Sequence, residues 1–544
     1  MEAFTVALIL LVAVAASAAI GRMVPAAIPT PLVQIAVGGA IGLLANIRVE
    51  LDPELFFLVL LPPLLFLDGW RLPKDSLRED GPIIIELALG LVVFTVIGAG
   101  FFIHWMVPAL PMAICFALAA VLSPTDPIAV SSIAQRVPVP PRLMHILEGE
   151  SLFNDASGLV CLRFAIAAAV TGHFSLREAG LDFLWSALAG LALGAGLTIV
   201  VIRAKGWLTR HFGEEPGAQI LVSLLLPFGA YLLAERAGAS GILAAVAAGV
   251  AMSFAERNGR AGAETRLRRT SVWDAIQFSA NGIVFVLLGE QMPGIAAGAI
   301  RAVQSYGGRT GWWLACYVVA ITLVLAALRF CWVWASLRLT LLRRRDQRPF
   351  RSSDLRLVAA TSCAGVRGAI TLAGILTLPL TLADGSPLPG RDFVIFLAAG
   401  VILLSLLIAT VALPLLLKGL VLPPDRDAEL AEQHVRAQVY QAALRAIQKA
   451  ERAHADARDA PLYQEAGARL AEFYARRVAV RGEDRDPAET RQLDRIESEL
   501  RLAGLRAARR EALRLARGRE AGSLLVRRIV RELDLLELRY GGGA

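Results

Sequence analysis

Residues 123–130 read SPTDPIAV: Ser123, Pro124, Thr125, Asp126, Pro127, Ile128, Ala129, Val130. AICFALAAVL precedes them and Ile133 follows, so a carboxylate sits between two prolines within an apolar stretch. Proline donates no backbone hydrogen bond, so Pro124 and Pro127 interrupt any helix here. In hydrocarbon, the carbonyls released by such a break need protein, water or an ion as partner. A carboxylate at mid-membrane depth costs about 2.5–3.5 kcal/mol on insertion scales, which makes it a candidate functional group by default. Backbone oxygens, the Thr125 hydroxyl and the Asp126 carboxylate together form an all-oxygen site for a small, hard cation. The competing reading is a proline kink whose Asp126 lines a pore and binds nothing.

The rest of the chain supports a membrane setting. Of its 544 residues 56% are hydrophobic and 19% charged. The mean hydropathy of +0.58 is one that a soluble protein of this length rarely reaches. A net charge of +8 would also suit nucleic acid. The placement of the basic residues favours a membrane instead, and no nucleic-acid partner is expected. Cys115, Cys161, Cys316, Cys331 and Cys363 lie in apolar stretches without a C-x-x-C pair, so they read as buried free thiols. VAVAASAAI near the N-terminus ends in small residues, but Glu2 and the lack of early Lys or Arg argue for a retained first span, not a signal peptide.

A span needs about 20 apolar residues, fewer where it is broken. Thirteen candidates follow: 4–21, 28–46, 53–70, 82–107, 110–134, 143–171, 181–203, 217–235, 238–254, 273–292, 311–336, 357–380 and 392–417. From about 424 the chain is polar and rich in Arg, Glu and Ala, with helical composition and many opposite charges at i,i+4 spacing. The expected division is a membrane domain, 1–420, and a cytoplasmic helical tail, 421–544, read as a solvated appendage or dimer contact ahead of a dedicated regulatory domain. With the N-terminus outside, the inner loops hold 21 Lys and Arg and the outer loops six. That asymmetry is the positive-inside pattern and places the C-terminus in the cytoplasm. Trp70, Trp105, Trp185 and Trp273 sit near span ends, as an interfacial belt would have them. Span 5 is interrupted by SPTDP and span 12 by AGVRGA. The two are an odd number of spans apart, which reverses orientation, and matching interruptions in inverted halves point to a transporter's binding site.

LEGESLFNDASGLV, residues 147–160, brings Glu148, Glu150 and Asp155 into one apolar segment. Ser151 and Asp155 are i,i+4 neighbours, as are Glu150 and Asn154, so the four form one broad polar stripe. Ser151 and Asp155 are expected to face Asp126, and Glu150 another partner. Glu148 is read as structural, near the inner end. Arg163, Arg329 and Arg367 are the basic residues that fall inside spans. A buried arginine must be paired, and Arg367 in SCAGVRGAITLAG, flanked by Gly365 and Gly368, is the expected partner of Glu150. Arg329 is expected to snorkel to the inner interface, and Arg163 has no assignment. Asp68, after Pro62 and Pro63, is read either as a gate or accessory cation group or as a water-accessible acid at the inner end. Asn281 is read as a core brace and Glu290 as solvated at an outer end. Protons and cations exclude each other at the same oxygens, so a site open to one side at a time couples their two gradients.

Thr125-Asp126-Pro127, Gly149-Glu150-Ser151 with Asn154-Asp155, Gly365 to Ile370, and Leu61-Pro62-Pro63 leading to Asp68 together resemble the sodium/proton exchanger family of the monovalent cation:proton antiporters. The resemblance covers about residues 1–420. It implies an all-α polytopic membrane protein with about thirteen helices in two inverted repeats, a core and a dimerisation domain, and broken, crossing helices 5 and 12. It implies Na+ (or Li+) held by Asp126 and Asp155, with Thr125 and Ser151 adding oxygens and Asn154, Glu150 and Arg367 behind them. The Asn154-Asp155 pair resembles the electroneutral branch. The implied activity is Na+/H+ antiport for pH and sodium homeostasis, by a homodimer in the inner membrane, with membrane lipid around it and no cofactor beyond the transported ions.

Three rivals remain at this level. A K+/H+ antiporter would use the same fold, since an all-oxygen site does not settle ion size. A cation channel would need a continuous pore, whereas two paired broken helices favour a carrier. An intramembrane aspartyl protease would need Tyr-Asp and Gly-x-Gly-Asp, but Asp126 follows Thr125 and Asp155 follows Asn154, so no enzyme is expected.

Overall fold

The computed structural model describes residues 2–23, 28–44, 53–71, 86–126, 130, 141–171, 176–256, 263–305, 311–343, 352–379, 388, 390–418, 426–454, 459–479, 487–517, 529–530, 532–534 and 536–537. Among them every regular element is helical. α1 (Glu2–Met23), α2 (Thr30–Leu44) and α3 (Pro53–Arg71) come first. A π-helical turn, Glu86–Leu91, then runs into α4 (Val92–Met106), followed by α5 (Met112–Leu122) and α6 (Pro141–Thr171). Next are α7 (Leu176–Phe212), α8 (Pro216–Arg236), α9 (Gly241–Glu256), α10 (Ala263–Ser305) and α11 (Trp313–Arg343). The short α12 (Ser352–Cys363) and α13 (Ala369–Leu376) precede α14 (Arg391–Leu417). Eight of these stretches are long and apolar enough to cross a membrane, with the shorter apolar helices Thr30–Leu44, Met112–Leu122 and Gly241–Ala255 beside them. This is a multi-span membrane protein.

The chain forms two compact units, Met1–Leu420 and Val421–Ala544. In the first, helices pack in two groups. Lipid is as apolar as leucine, so helices associate there by close packing, and small residues permit it. A Cβ on Gly38 of α2 would overlap the Val286 carbonyl of α10, and one on Gly289 of α10 the Ile35 carbonyl of α2. α3 and α9 meet the same way through Gly69 and Gly249, and α7 meets α9 through Gly194. A second group holds α4, α5, α6 and α11–α14, around buried α14 residues such as Val394, Leu397 and Val401. α13 also packs against α3 and α10 of the first group, so the interrupted helices lie where the two groups meet.

α10 extends from Ala263 to Ser305, well beyond the expected span of 273–292, and two readings change with it. Trp273 lies inside the helix, not at an interface. It is 1% exposed, stacks on Phe66 with ring centroids 5.2 Å apart, and donates to Ser223 Oγ at 3.3 Å. Glu290 is buried, not solvated, because α2 packs over it at Gly42. Trp105 and Trp185 are exposed on the apolar surface. The five cysteines are free, but of the five expected buried thiols only Cys115 is buried; Cys161, Cys316 and Cys363 are partly buried and Cys331 is exposed.

In the second unit, α15 (Arg426–Ala453) packs on α16 (Ala460–Ala479), with Tyr440 and Tyr474 6.0 Å apart. α17 (Pro487–Arg517) carries the i,i+4 pair Glu497–Arg501, and its Arg509 pairs with Asp534 and Glu537.

Candidate functional site

α5 stops at Leu122, and residues 123–126 leave the helix. Pro127, the second proline of the motif, lies outside the described residues. α12 stops at Cys363, and the chain is non-helical from 365 until α13 begins at Ala369. The two interruptions meet: the Asp126 backbone N–H donates to the Val366 carbonyl at 2.7 Å. Gly368 is needed for that approach, since a Cβ there would overlap the Asp126 carboxylate. Gly158 of α6 likewise leaves room for the Pro124 ring. Asp126 therefore stands at the N-terminus of α13, where free N–H groups and the helix dipole favour negative charge.

Arg367 serves the opposite helix ends. Its Nε donates to the Leu122 carbonyl at 2.9 Å and its Nη1 to the Gly365 carbonyl, while its backbone N–H donates to Ser405 Oγ at 3.2 Å. The first carbonyl closes α5 and the second lies in the break just beyond α12, so the cation satisfies an orphaned acceptor and complements the dipoles of both helix ends. The expected Glu150–Arg367 pair does not form. Glu150 instead meets Arg329 in a bidentate pair, Nη1 to Oε1 at 2.5 Å and Nη2 to Oε2 at 2.7 Å. Arg329 also donates from Nε to the Thr361 carbonyl at 3.2 Å. The snorkelling reading of Arg329 fails because α11 continues to Arg343, which leaves Arg329 at mid-helix and 3% exposed.

This pair anchors a small network. Thr125 Oγ1 donates to Glu150 Oε1 at 3.2 Å, and Asn154 Nδ2 donates to Thr125 Oγ1 at 3.0 Å and to Glu150 Oε1 at 3.4 Å. Thr125 is thus held from behind by two residues of α6 that were read as supporting groups.

On the other side of Thr125 lies a cavity. Leu64 and Asp68 of α3, Pro124, Thr125 and Asp126 of the break, and Ser151 and Asp155 of α6 line it. Asn281 of α10 and Gly368, Ile370 and Thr371 at the start of α13 complete it. Asp126, Asp155, Thr125 and Ser151 are brought together here, and Asp68 joins them. Asn154, Glu150 and Arg367 do not line the cavity. Asn281 faces it where a core brace was expected, and Thr371 was not anticipated. The only sequence signal for Thr371 was its place three residues after Gly368 on the helix that opens from the break. Glu148 is exposed. Arg163 gains a partner in Glu235 of α8, at 3.0 Å, in a half-exposed pair between the two helix groups.

Carboxylates lining a cavity beside two touching helix breaks are a transporter type of site, built where unwound backbone is enclosed by protein. The model of the transmembrane sodium/hydrogen exchanger family matches residues 7–419. An uncharacterised Na+/H+ exchanger of Escherichia coli strain K12, YjcE, is 41% identical, over 99% of this chain and 98% of its own length. A sodium, potassium, lithium and rubidium/H+ antiporter of Bacillus pumilus is 42% identical over 82% of this chain and 66% of its own. In fold, the sodium proton antiporter MjNhaP1 of Methanocaldococcus jannaschii superposes with a TM-score of 0.61. It is 19% identical, and the match covers 77% of this chain and 99% of that one. The chain belongs to the sodium/hydrogen exchanger family.

Proposed function

We propose that this protein exchanges Na+ (or Li+) for H+ across the cell membrane by alternating access. The observation that carries this reading is the single cavity shared by Asp68, Asp126 and Asp155 beside two touching helix breaks. The cation is cargo, held by Asp126 and Asp155 with oxygens from Thr125 and Ser151. A proton arriving at these carboxylates displaces it, and a cation arriving displaces the proton. Because the site lies between two helix groups, movement of one group past the other exposes it to each side in turn. Charge on the carboxylates is balanced by either ion, so no catalyst and no resident cofactor take part. Glu150, Asn154 and Arg367 position the break and do not bind the ion.

The fuller architecture belongs to the same proposal: thirteen crossings in two inverted repeats, N-terminus outside, C-terminus and tail in the cytoplasm, and a homodimer in lipid. The 21 to six distribution of basic residues supports the orientation. The Asn154-Asp155 pair supports electroneutral exchange. Sodium ranks before potassium, because the relatives' names all include sodium and potassium occurs only alongside it.

The test is reconstitution of the full chain into proteoliposomes with a proton gradient and a pH-sensitive dye. Sodium or lithium should dissipate the gradient, and choline should not. No response to any alkali cation would remove the antiporter reading. A response to potassium alone would replace the substrate.

A further inference from the structure

We infer that Asn281 of α10 and Thr371 of α13 supply neutral oxygens to the transported cation, Asn281 through its amide carbonyl and Thr371 through its hydroxyl. This rests on the exchange reading above and goes beyond its four ligands. Both side chains line the cavity that holds Asp126 and Asp155. Asn281 is 7% exposed and Thr371 2%. Among the described residues neither makes a side-chain hydrogen bond, although the neighbouring Thr125, Asn154 and Arg367 are all engaged.

An amide or hydroxyl on a cavity wall with no protein partner takes its partner from whatever fills the cavity. Ordinary packing would replace such a residue by an apolar one of similar volume. Two such groups facing one small space with three carboxylates call for a partner that comes and goes. A hard cation is that partner: carbonyl, hydroxyl and carboxylate oxygens are the donors it prefers. Neutral donors also have a use that further acids would not. They complete the ion's shell without adding negative charge, so the balance between one cation and the protons it replaces stays with the aspartates. Neither group titrates, so neither competes for the proton.

Their positions add a second consequence. Asp155 and Ser151 lie on α6, while Asn281 lies on α10, which packs on α2 in one helix group and on α14 in the other. An ion touching Asn281 therefore joins α10 to α6. Its shell is complete only when these two helices stand in the arrangement seen here.

The test compares the full-length wild type with Asn281→Ala, Thr371→Val and Thr371→Ser in proteoliposomes, at one fixed pH, over a range of sodium. If the two residues bind the ion, Asn281→Ala and Thr371→Val raise the apparent KM for sodium about tenfold or more, in line with loss of a donor to a charged group. The maximal rate stays within about twofold, and Thr371→Ser, which keeps the oxygen, restores the wild-type KM. In parallel, sodium should raise the melting temperature of the purified wild type in detergent by mass action. That rise should shrink in Asn281→Ala and Thr371→Val at equal sodium. Unchanged KM in both variants, or a fall in maximal rate with KM unchanged, overturns the inference while leaving exchange intact. A wild type that responds to no alkali cation overturns both.

Discussion

The Arg329–Glu150 pair offers the sharpest quantitative test of the site's scaffold. Glu150 is fully buried and Arg329 nearly so, and the two make parallel hydrogen bonds at 2.5 and 2.7 Å. Arg329→Met leaves the Glu150 carboxylate enclosed with only the Thr125 hydroxyl and the Asn154 amide against it. Removing one partner of a buried ion pair costs about 3–5 kcal/mol, because the stranded charge keeps its desolvation penalty. Glu150→Gln alone strands Arg329 in the same way. The double variant Arg329→Met/Glu150→Gln removes both charges and should recover much of the loss. A double-mutant cycle isolates the pair from the rest of each side chain's contacts. The expected coupling is about 3 kcal/mol for Arg329 with Glu150. For Arg367 with Glu150 it is about 1 kcal/mol or less, since Arg367 spends its hydrogen bonds on the Leu122 and Gly365 carbonyls. The measurement is unfolding in mixed micelles with increasing SDS, followed by tryptophan fluorescence. Equal couplings, or a larger one for Arg367, would refute the pairing.

Asp155→Asn should abolish sodium-driven proton movement in proteoliposomes while the purified protein keeps its elution volume and melting profile; retained exchange would remove Asp155 from the ion site. Gly368→Ala puts a Cβ against the Asp126 carboxylate. It should cut transport at least about tenfold through displacement of the break, whereas Gly21→Ala, whose Cβ meets nothing within 4 Å, should leave transport unchanged. Clamping the membrane potential at different values with potassium and valinomycin should leave the sodium/proton exchange rate unaltered, and a clear dependence would contradict electroneutral exchange.

Much of the site was legible because its chemistry is local. Pro124 and the glycines flanking Arg367 mark helix breaks through what they do to their own backbone, and no neighbour is needed to read them. The i,i+4 spacing of Ser151 and Asp155 is a property of one helix, so their common face followed directly. Arginine pairing was not legible in this way. Three arginines stood within apolar stretches, and any of them was able to neutralise Glu150. The choice fell to Arg329, 179 residues away, because α11 runs past its expected end and carries that side chain into the core. Asp68 was ambiguous for the same reason. An acid near a span end reads as water-accessible until the packing shows which cavity it lines.

The amino-acid order by itself determined that this chain lives in a membrane, that two of its apolar segments break, and that carboxylates stand at one of the breaks. These follow from hydropathy, from proline and glycine geometry, and from the cost of charge in hydrocarbon, all of which act along the chain. Only the tertiary structure decided that the two breaks touch through Asp126 and Val366, that Arg329 and not Arg367 balances Glu150, and that Asn281 faces the same space as three aspartates. Each of these depends on which helix packs against which, and between apolar helices that is set by glycine contacts spread over the whole membrane unit.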